Sequence, residues 1–235
     1  MQRPPSAHCL SCDSFVGNIF CALPKNEAEN LDRHKIVREY KKKQILFFEG
    51  NPASGVYCIK SGLVKLYKTG LEGKQYILNL AGPTDVLGIE SVFSNKPHAA
   101  TAELINQGTV CFIPKDFLIN LIQQDCALSL KVNRYLAEEL LKSEEERLEL
   151  AQMAVRERFA RLLGLLAKSY GKPVPKGVSI DLKLNREEMA DMIGTAAETA
   201  MRLLKEFKEE KLLEVKGKEI TILNKKGLEK AAQIV

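Results

Sequence analysis

No apolar run in the chain approaches the roughly 18 to 20 residues needed to cross a bilayer. The N-terminus, with Pro4, Pro5, His8 and Cys9, lacks the apolar stretch of a secretion signal. A cytoplasmic protein is expected. Proline and glycine are few, 9 and 15 of 235 residues, and 45% hydrophobic with 28% charged residues is the balance of a globular protein, which excludes disorder over most of the length. That length is enough to bury a real core, so no disulfide scaffold is needed. A glycine-rich phosphate loop is missing, and no nucleophile, base or pair of acids is arranged for catalysis. An enzyme is not expected. The three histidines, His8, His34 and His98, have no ligand spacing, although His8 adjoins Cys9.

What is present is distributed unevenly. The first 150 residues carry 18 Lys and Arg and 18 Asp and Glu, whereas the last 85 carry 17 basic against 12 acidic residues. The whole positive excess of the chain therefore lies in its last third, as expected when a nucleic-acid-binding module is joined to a neutral one. A solvated lysine-rich surface would produce the same count.

The character of the sequence changes along the chain. Residues 1–24 are irregular and bear cysteines, and a charged helical stretch is expected around Glu27 to Arg38; both look like an appendage to the next domain. From Gln44 to Pro114, apolar runs such as Leu46-Phe47-Phe48, Val56-Tyr57-Cys58-Ile59 and Val110-Cys111-Phe112-Ile113 alternate with Gly50-Asn51-Pro52, Ser61-Gly62 and Ala81-Gly82-Pro83. About eight short strands of a sandwich or barrel are expected. No proline or glycine occurs from Lys115 to Phe159, and the period shifts toward 3.6 at Asp116. Leu128, Val132, Leu136, Leu140 and Leu141 form one stripe of a long helix, which a second copy of the chain could cover. A second helix from Val155 to Tyr170 precedes a turn-rich connector, Gly171 to Gly177.

The densest local pattern runs from Asn185 to Glu210. Asn185 with Glu188, and Thr195 with Glu198, have capping-box spacing, so two helices are expected to start about ten residues apart with Gly194 in the turn between them. In the second, Ala200, Leu203, Leu204 and Phe207 make an apolar face and leave Glu198, Thr199, Met201, Arg202, Lys205 and Lys208 outward. This is a helix-turn-helix layout, whose second helix enters the major groove of duplex DNA. A guanidinium such as that of Arg202 can bond guanine O6 and N7 together, and Glu198 can accept from cytosine N4 but repels phosphate. A hairpin around Lys216-Gly217-Lys218 supplies a basic wing for the backbone.

Together these segments resemble the family of the cyclic-AMP receptor protein and the fumarate-nitrate reduction regulator, over nearly the full chain. Leu46 to Gly50 and Val56 to Gly62 look like the start of its β-roll, and Leu184 to Leu204 looks like its recognition motif. The resemblance implies an α+β protein: a cysteine-bearing segment (1–26), a β-roll sensor domain like those that bind cyclic nucleotides (27–117), a dimerisation helix (118–153) and a winged helix-turn-helix (154–235). It further implies a homodimer on a palindromic operator, with Thr195, Glu198, Thr199, Met201, Arg202, Lys205, Lys216 and Lys218 near DNA. Met201 departs from the serine usual there and can only lie against a thymine methyl. The hairpin at Gly70 to Lys74 resembles a surface the family uses against RNA polymerase.

The signal is read from the cysteines. The cyclic-nucleotide branch holds its ligand's phosphate with an arginine, yet between Arg38 and Arg134 there is none, so a cyclic nucleotide is not expected. Cys9, Cys12 and Cys21 read C-x2-C-x8-C, and thiols so close in a cytoplasmic chain favour metal over a disulfide. Cys111 matches the position of the fourth ligand in the fumarate-nitrate branch, and the resemblance thus implies a [4Fe–4S] cluster on Cys9, Cys12, Cys21 and Cys111. That branch usually has five residues where this chain has eight, which leaves the identity of one ligand open. Cys58 and Cys126 are expected to be small core residues. Zinc, a thiol switch, haem or an organic effector stay open as sensors, as does a metal or redox protein with no DNA role.

Overall fold

The computed structural model describes residues 8–70, 73–180, 182 and 184–233, apart from the side chains of Val16 and Ala22. They fall into two compact units, Met1–Leu141 and Lys142–Val235.

In the first unit a 3-10 turn at Cys9–Ser11 is followed by helix α1 (Asp13–Val16), a second 3-10 turn at Ile19–Ala22 and helix α2 (Lys25–His34). Eight strands are described next: β1 (Ile36–Tyr40), β2 (Ile45–Phe47), β3 (Gly55–Ser61), β4 (Val64–Thr69), β5 (Gln75–Ala81), β6 (Val86–Leu87), β7 (Thr101–Leu104) and β8 (Gly108–Pro114). They form two antiparallel sheets, ordered β1-β8-β3-β6 and β2-β7-β4-β5. The tip between β4 and β5 includes Leu71 and Glu72, which lie outside the described residues. Helix α3 (Ile89–Ser94) joins β6 to β7, and helices α4 (Lys115–Gln124) and α5 (Cys126–Gln152) come after β8, with α5 running past Leu141 into the second unit.

Strand alternation sends successive side chains to opposite faces, and β3 and β8 use both. Ile59 and Val110 enter a core shared by the two sheets with Phe47, Val64, Ala102 and Leu104. Val56, Cys58 and Ile113 face the other way, into a core made with Phe20, Leu31, Leu118, Leu128 and Val132. Gly62, at φ +91°, closes the end of β3: a Cβ there would stand 2.7 Å from the Cα of Gly108, so both strands approach through residues without side chains.

Three expectations need correction. The N-terminal segment is no appendage, because Phe20, Leu23 and Leu31 are buried in that second core and the Asn18 side chain donates to the Thr84 carbonyl at 3.1 Å. The helix expected to run to Arg38 ends at His34, where Ile36 and Val37 pair with Phe112 and Cys111 of β8 instead. The long helix is broken without proline or glycine: Asp125 Oδ1 accepts from the amides of Ala127 and Leu128 at 2.8 and 3.0 Å, ending α4 and capping a new start. Of the stripe on α5, Leu128 and Val132 are buried, while Leu140 and Leu141 are exposed.

The second unit contains helix α6 (Val155–Tyr170), strands β9 (Gly171–Val174) and β10 (Gly177–Ile180), helices α7 (Arg186–Met192) and α8 (Ala197–Glu209), strands β11 (Leu213–Lys216) and β12 (Glu219–Ile222), and helix α9 (Lys225–Ala231). The stretch from Gly171 to Gly177 is therefore a hairpin and not a connector. It adds to the sheet β11-β12-β10-β9, where β9 is the edge strand that tolerates Pro173.

Candidate metal centre and nucleic-acid interface

Four thiols converge on one recess in the first unit. Cys9 and Cys12 come from the first turn and the start of α1, Cys58 from β3 and Cys111 from β8; Lys35, Lys60 and Asn18 also line it. The antiparallel register sets Cys58 directly opposite Cys111, so the two share the face that meets the N-terminal segment. That segment is fastened to the sheet, since Ser14 Oγ donates to the Lys60 carbonyl at 2.7 Å. Cys21 does not line the recess. Its Sγ accepts from Lys131 Nζ of α5 at 3.0 Å. Cys126, expected in the core, is exposed, because it occupies the first position of α5 beyond the Asp125 cap.

Charge is managed beside Cys9 by two residues that sequence reasoning passed over. Lys35 Nζ donates to Cys9 Sγ at 3.1 Å and to Asp32 Oδ1 at 2.5 Å, and Asp32 accepts from the Cys9 amide at 2.9 Å. His8 Nδ1 lies 3.3 Å from Asp32 Oδ2. The i,i+3 spacing of Asp32 and Lys35 at the end of α2 was the available signal. Burial works against the charge of both: it raises the Asp32 carboxyl and lowers Lys35. Their mutual hydrogen bond, with those to Cys9, outweighs it, leaving Asp32 below and Lys35 above the ordinary range. Burial pushes the Cys9 thiol up to about 11 against the pull of Lys35, and burial likewise raises Cys58 and Cys111.

These shifts make the stability of the metal-free protein depend on pH. The Cys9 thiol is raised from 9.0 to about 11, so the folded state prefers it neutral. That contribution, roughly 2 to 3 kcal/mol, is complete below pH 9 and is lost as pH rises through 11. Lys35, also raised, acts in the same direction above its own ordinary value of 10.5. Urea midpoints measured from pH 8 to 11 should fall more steeply for the native sequence than for Cys9→Ala, and parallel slopes would refute the linkage.

The donor set suits soft metal chemistry. Among the described residues, no group of three or more His, Cys, Asp or Glu could hold a single metal ion, which would draw its sulfurs to about 3.8 Å of one another, given Zn–S bonds near 2.3 Å. An iron–sulfur cluster would instead be held by four cysteine thiolates. Lys35 and Lys60 offset the negative charge that four thiolates bring. The recess they line has about 40 Å³ at its centre.

In the second unit, α7 starts with the expected box: the Glu188 amide donates to Asn185 Oδ1 and the Asn185 amide to Glu188 Oε2, both at 2.7 Å. It stops at Gly194, with φ +63°, where the Thr195 amide reaches back to the Ala190 carbonyl at 3.0 Å. The second expected box is not formed. Ala196 is the N-cap and makes no side-chain bond, because α8 starts one residue later than the Thr195-Glu198 spacing requires. Arg158, a third residue not foreseen, fixes this turn: its guanidinium donates to the Ile193 carbonyl at 3.1 and 3.2 Å and to that of Met153 at 2.8 Å.

Helix α8 buries Ala200, Leu203, Leu204 and Phe207, with Phe207 stacked on Phe159 at 5.8 Å and the Arg156 guanidinium 4.8 Å above its ring. Glu198, Arg202, Lys205 and Lys208 are exposed, and Thr195 and Thr199 are half-buried. Met201 is also half-buried and turns partly inward, lining a hollow with Leu204, Val215 and Ile220. Lys216 and Lys218 flank Gly217 on the exposed β11–β12 turn. Arg202 Nη1 lies 2.7 Å from Glu206, Lys205 3.8 Å from Glu209 and Lys216 3.6 Å from Glu214. Exposed pairs of this kind contribute about 1 kcal/mol or less, so phosphate or a base edge displaces the carboxylate at small expense.

Residues 37–125 match the cyclic nucleotide-binding domain family and residues 157–231 the Crp-like helix-turn-helix domain family. The fumarate and nitrate reduction regulatory protein of Vibrio cholerae is 30% identical over 222 residues, 92% of this chain and 87% of the relative. The anaerobic regulatory protein of Aggregatibacter actinomycetemcomitans is 30% identical over 220 residues, with 92% and 84% covered. This chain belongs to the Crp/Fnr family, on its Fnr-like branch. Among solved structures, FixK2 from Bradyrhizobium japonicum superposes with a TM-score of 0.76 at 26% identity, covering 84% of this chain and 96% of that one.

As a Crp/Fnr protein the chain is a DNA-binding transcription regulator and not an enzyme. Among the described residues no helix is long and apolar enough to cross a membrane. His98 is buried and stacked on Phe47 at 3.8 Å, Thr101 Oγ1 accepts from the Glu49 amide at 3.0 Å, and the Ser91 hydroxyl donates to Glu90 at 3.2 Å.

Proposed function

We propose that this Crp/Fnr regulator is a cytoplasmic homodimer that binds a palindromic operator and reports oxygen, redox state or nitric oxide through a [4Fe–4S] cluster. Cys9, Cys12 and Cys111 supply three of its thiolates. The observation that carries the reading is that thiols about a hundred residues apart in sequence line one recess beside two lysines. When bound, a cluster supplies reactivity toward oxygen and nitric oxide. The remaining work belongs to the chain: Cys9 and Cys12 tie the N-terminal segment to β8, and that segment packs in one core with Leu128 and Val132 of α5.

On α5, Leu130, Leu140, Leu141 and Leu148 are exposed, between 55% and 70%, and Leu141 and Leu148 stand one heptad apart. A second copy of α5 is the partner that this seam fits. Dimerisation joins two recognition helices on one DNA, so weakening the dimer removes most specific affinity with no change in any base contact. The division of labour is then a sensor over 27–117, a dimer helix over 118–153 and a DNA reader over 154–235. RNA polymerase is the further partner proposed for the β4–β5 hairpin.

The test is anaerobic purification with iron, acid-labile sulfide and visible absorbance recorded, and then binding to duplexes selected by the protein from a random palindromic pool. A brown, iron- and sulfide-bearing dimer that releases DNA on exposure to air is expected. A colourless protein that holds the same duplex equally under argon and air would overturn the reading.

A further inference from the structure

The eight-residue gap between Cys12 and Cys21 carries more than a longer loop. Asn18, in its middle, donates to the Thr84 carbonyl and accepts from the Phe20 amide at 3.0 Å, and Ile19 and Phe20 next to it are buried. Cys21 therefore leaves the next turn of chain on the far side of a fixed and buried anchor, where Lys131 holds its sulfur. Bringing Cys21 to the recess requires lifting Phe20, which is 1% exposed, out of the core.

The place left open is filled from the sheet. The β3·β8 register sets Cys58 across from Cys111, period-two alternation turns both to the face of Val56 and Ile113, and both residues line the recess with Cys9 and Cys12. We infer that Cys58, and not Cys21, is the fourth thiol of the cluster site, which then comprises Cys9, Cys12, Cys58 and Cys111. This rests on the cluster reading above. The site so composed takes two ligands from the N-terminal segment and two from neighbouring strands of one sheet. Cluster loss then unties Cys9 and Cys12 from the two strands while leaving the strand pair where it was.

Two double variants of the full chain decide it, each purified without oxygen beside the native sequence. Cys21→Ser with Cys126→Ser leaves only the four thiols of the recess. Cys58→Ser with Cys126→Ser leaves Cys9, Cys12, Cys21 and Cys111. The first is expected to keep the iron, sulfide and visible absorbance of the native protein, and the second to lose them to background with its circular dichroism unchanged. The first variant alone settles the matter if Cys58→Ser does not fold. Loss of iron from the first variant, or full retention by the second, overturns the assignment while the cluster reading stands. A native protein free of iron and sulfide instead removes the cluster reading itself.

Discussion

Changing Arg202 to glutamate is expected to erase the preference for the selected palindrome over a scrambled duplex. A bidentate guanidinium contact to guanine is worth about 1 to 3 kcal/mol, and with the two recognition helices of the proposed dimer on one operator the loss doubles. Reversal also sets an acid toward the phosphates, so affinity for the selected duplex should fall roughly 30-fold to beyond 10,000-fold at fixed salt. The fold is not at stake. Arg202 is 66% exposed and its partner is Glu206, one turn away, so losing the pair removes only a few tenths of a kcal/mol from the helix. Arg202→Lys separates the two roles of the residue, because it keeps the charge and loses the planar fork. It should bind scrambled DNA normally and discriminate poorly. Equal weakening on both duplexes in either variant would mean that Arg202 only attracts the backbone.

Phe207→Ala is expected to do the opposite, destroying DNA binding by unfolding the reader. Phe207 is fully buried, is stacked on Phe159 and lies under Arg156, so truncation leaves a large cavity and an uncovered guanidinium. The cost is about 3 to 5 kcal/mol, against total stabilities of about 5 to 15 kcal/mol for ordinary domains. For a unit of this size the thermal midpoint should drop by roughly 12 to 25 °C. Lys208→Ala, one residue along and exposed, is the control and should shift it by no more than about 2 °C. A Phe207→Ala protein that melts with the control would show that this aromatic pair contributes little to the unit.

How much of the fold and of the site is legible in the sequence depends on how local each determinant is. The spacing of Ala200, Leu203, Leu204 and Phe207 is local, and it marks the buried face of α8 correctly. The apolar runs mark the strands for the same reason. Capping is half legible: Asn185 and Glu188 close their box, whereas Thr195 and Glu198 miss theirs by the single residue at which α8 begins. Asp125 hides a helix break because its side chain, and not a proline or glycine, ends α4. The hairpin of β9 and β10 is masked by Gly171, Pro173 and Pro175, which read as a loop until an edge strand accepts them.

The least legible facts concern the thiol recess. Register between β3 and β8 is a long-range property, and only register brings Cys58 across from Cys111. The Asp32–Lys35 spacing reports that pair but not the reach of Lys35 to Cys9 Sγ, and no spacing rule reports the reach of Arg158 to the Ile193 carbonyl. Met201 is expected outward from its helical position, and the hollow beside Val215 draws it partly in.

The bare contact between Gly62 and Gly108 has a bearing well beyond its own turn. It lies three to four residues from the paired sulfurs on β3 and β8, past the irregularity between Ile59 and Ser61. A methyl group added at either glycine wedges the strand ends apart and twists Cys58 against Cys111, although neither glycine touches a sulfur. If the proposed cluster reports oxygen, genetic screens for an altered oxygen response should therefore recover alanine at these two positions, among lesions that look remote from any inorganic chemistry.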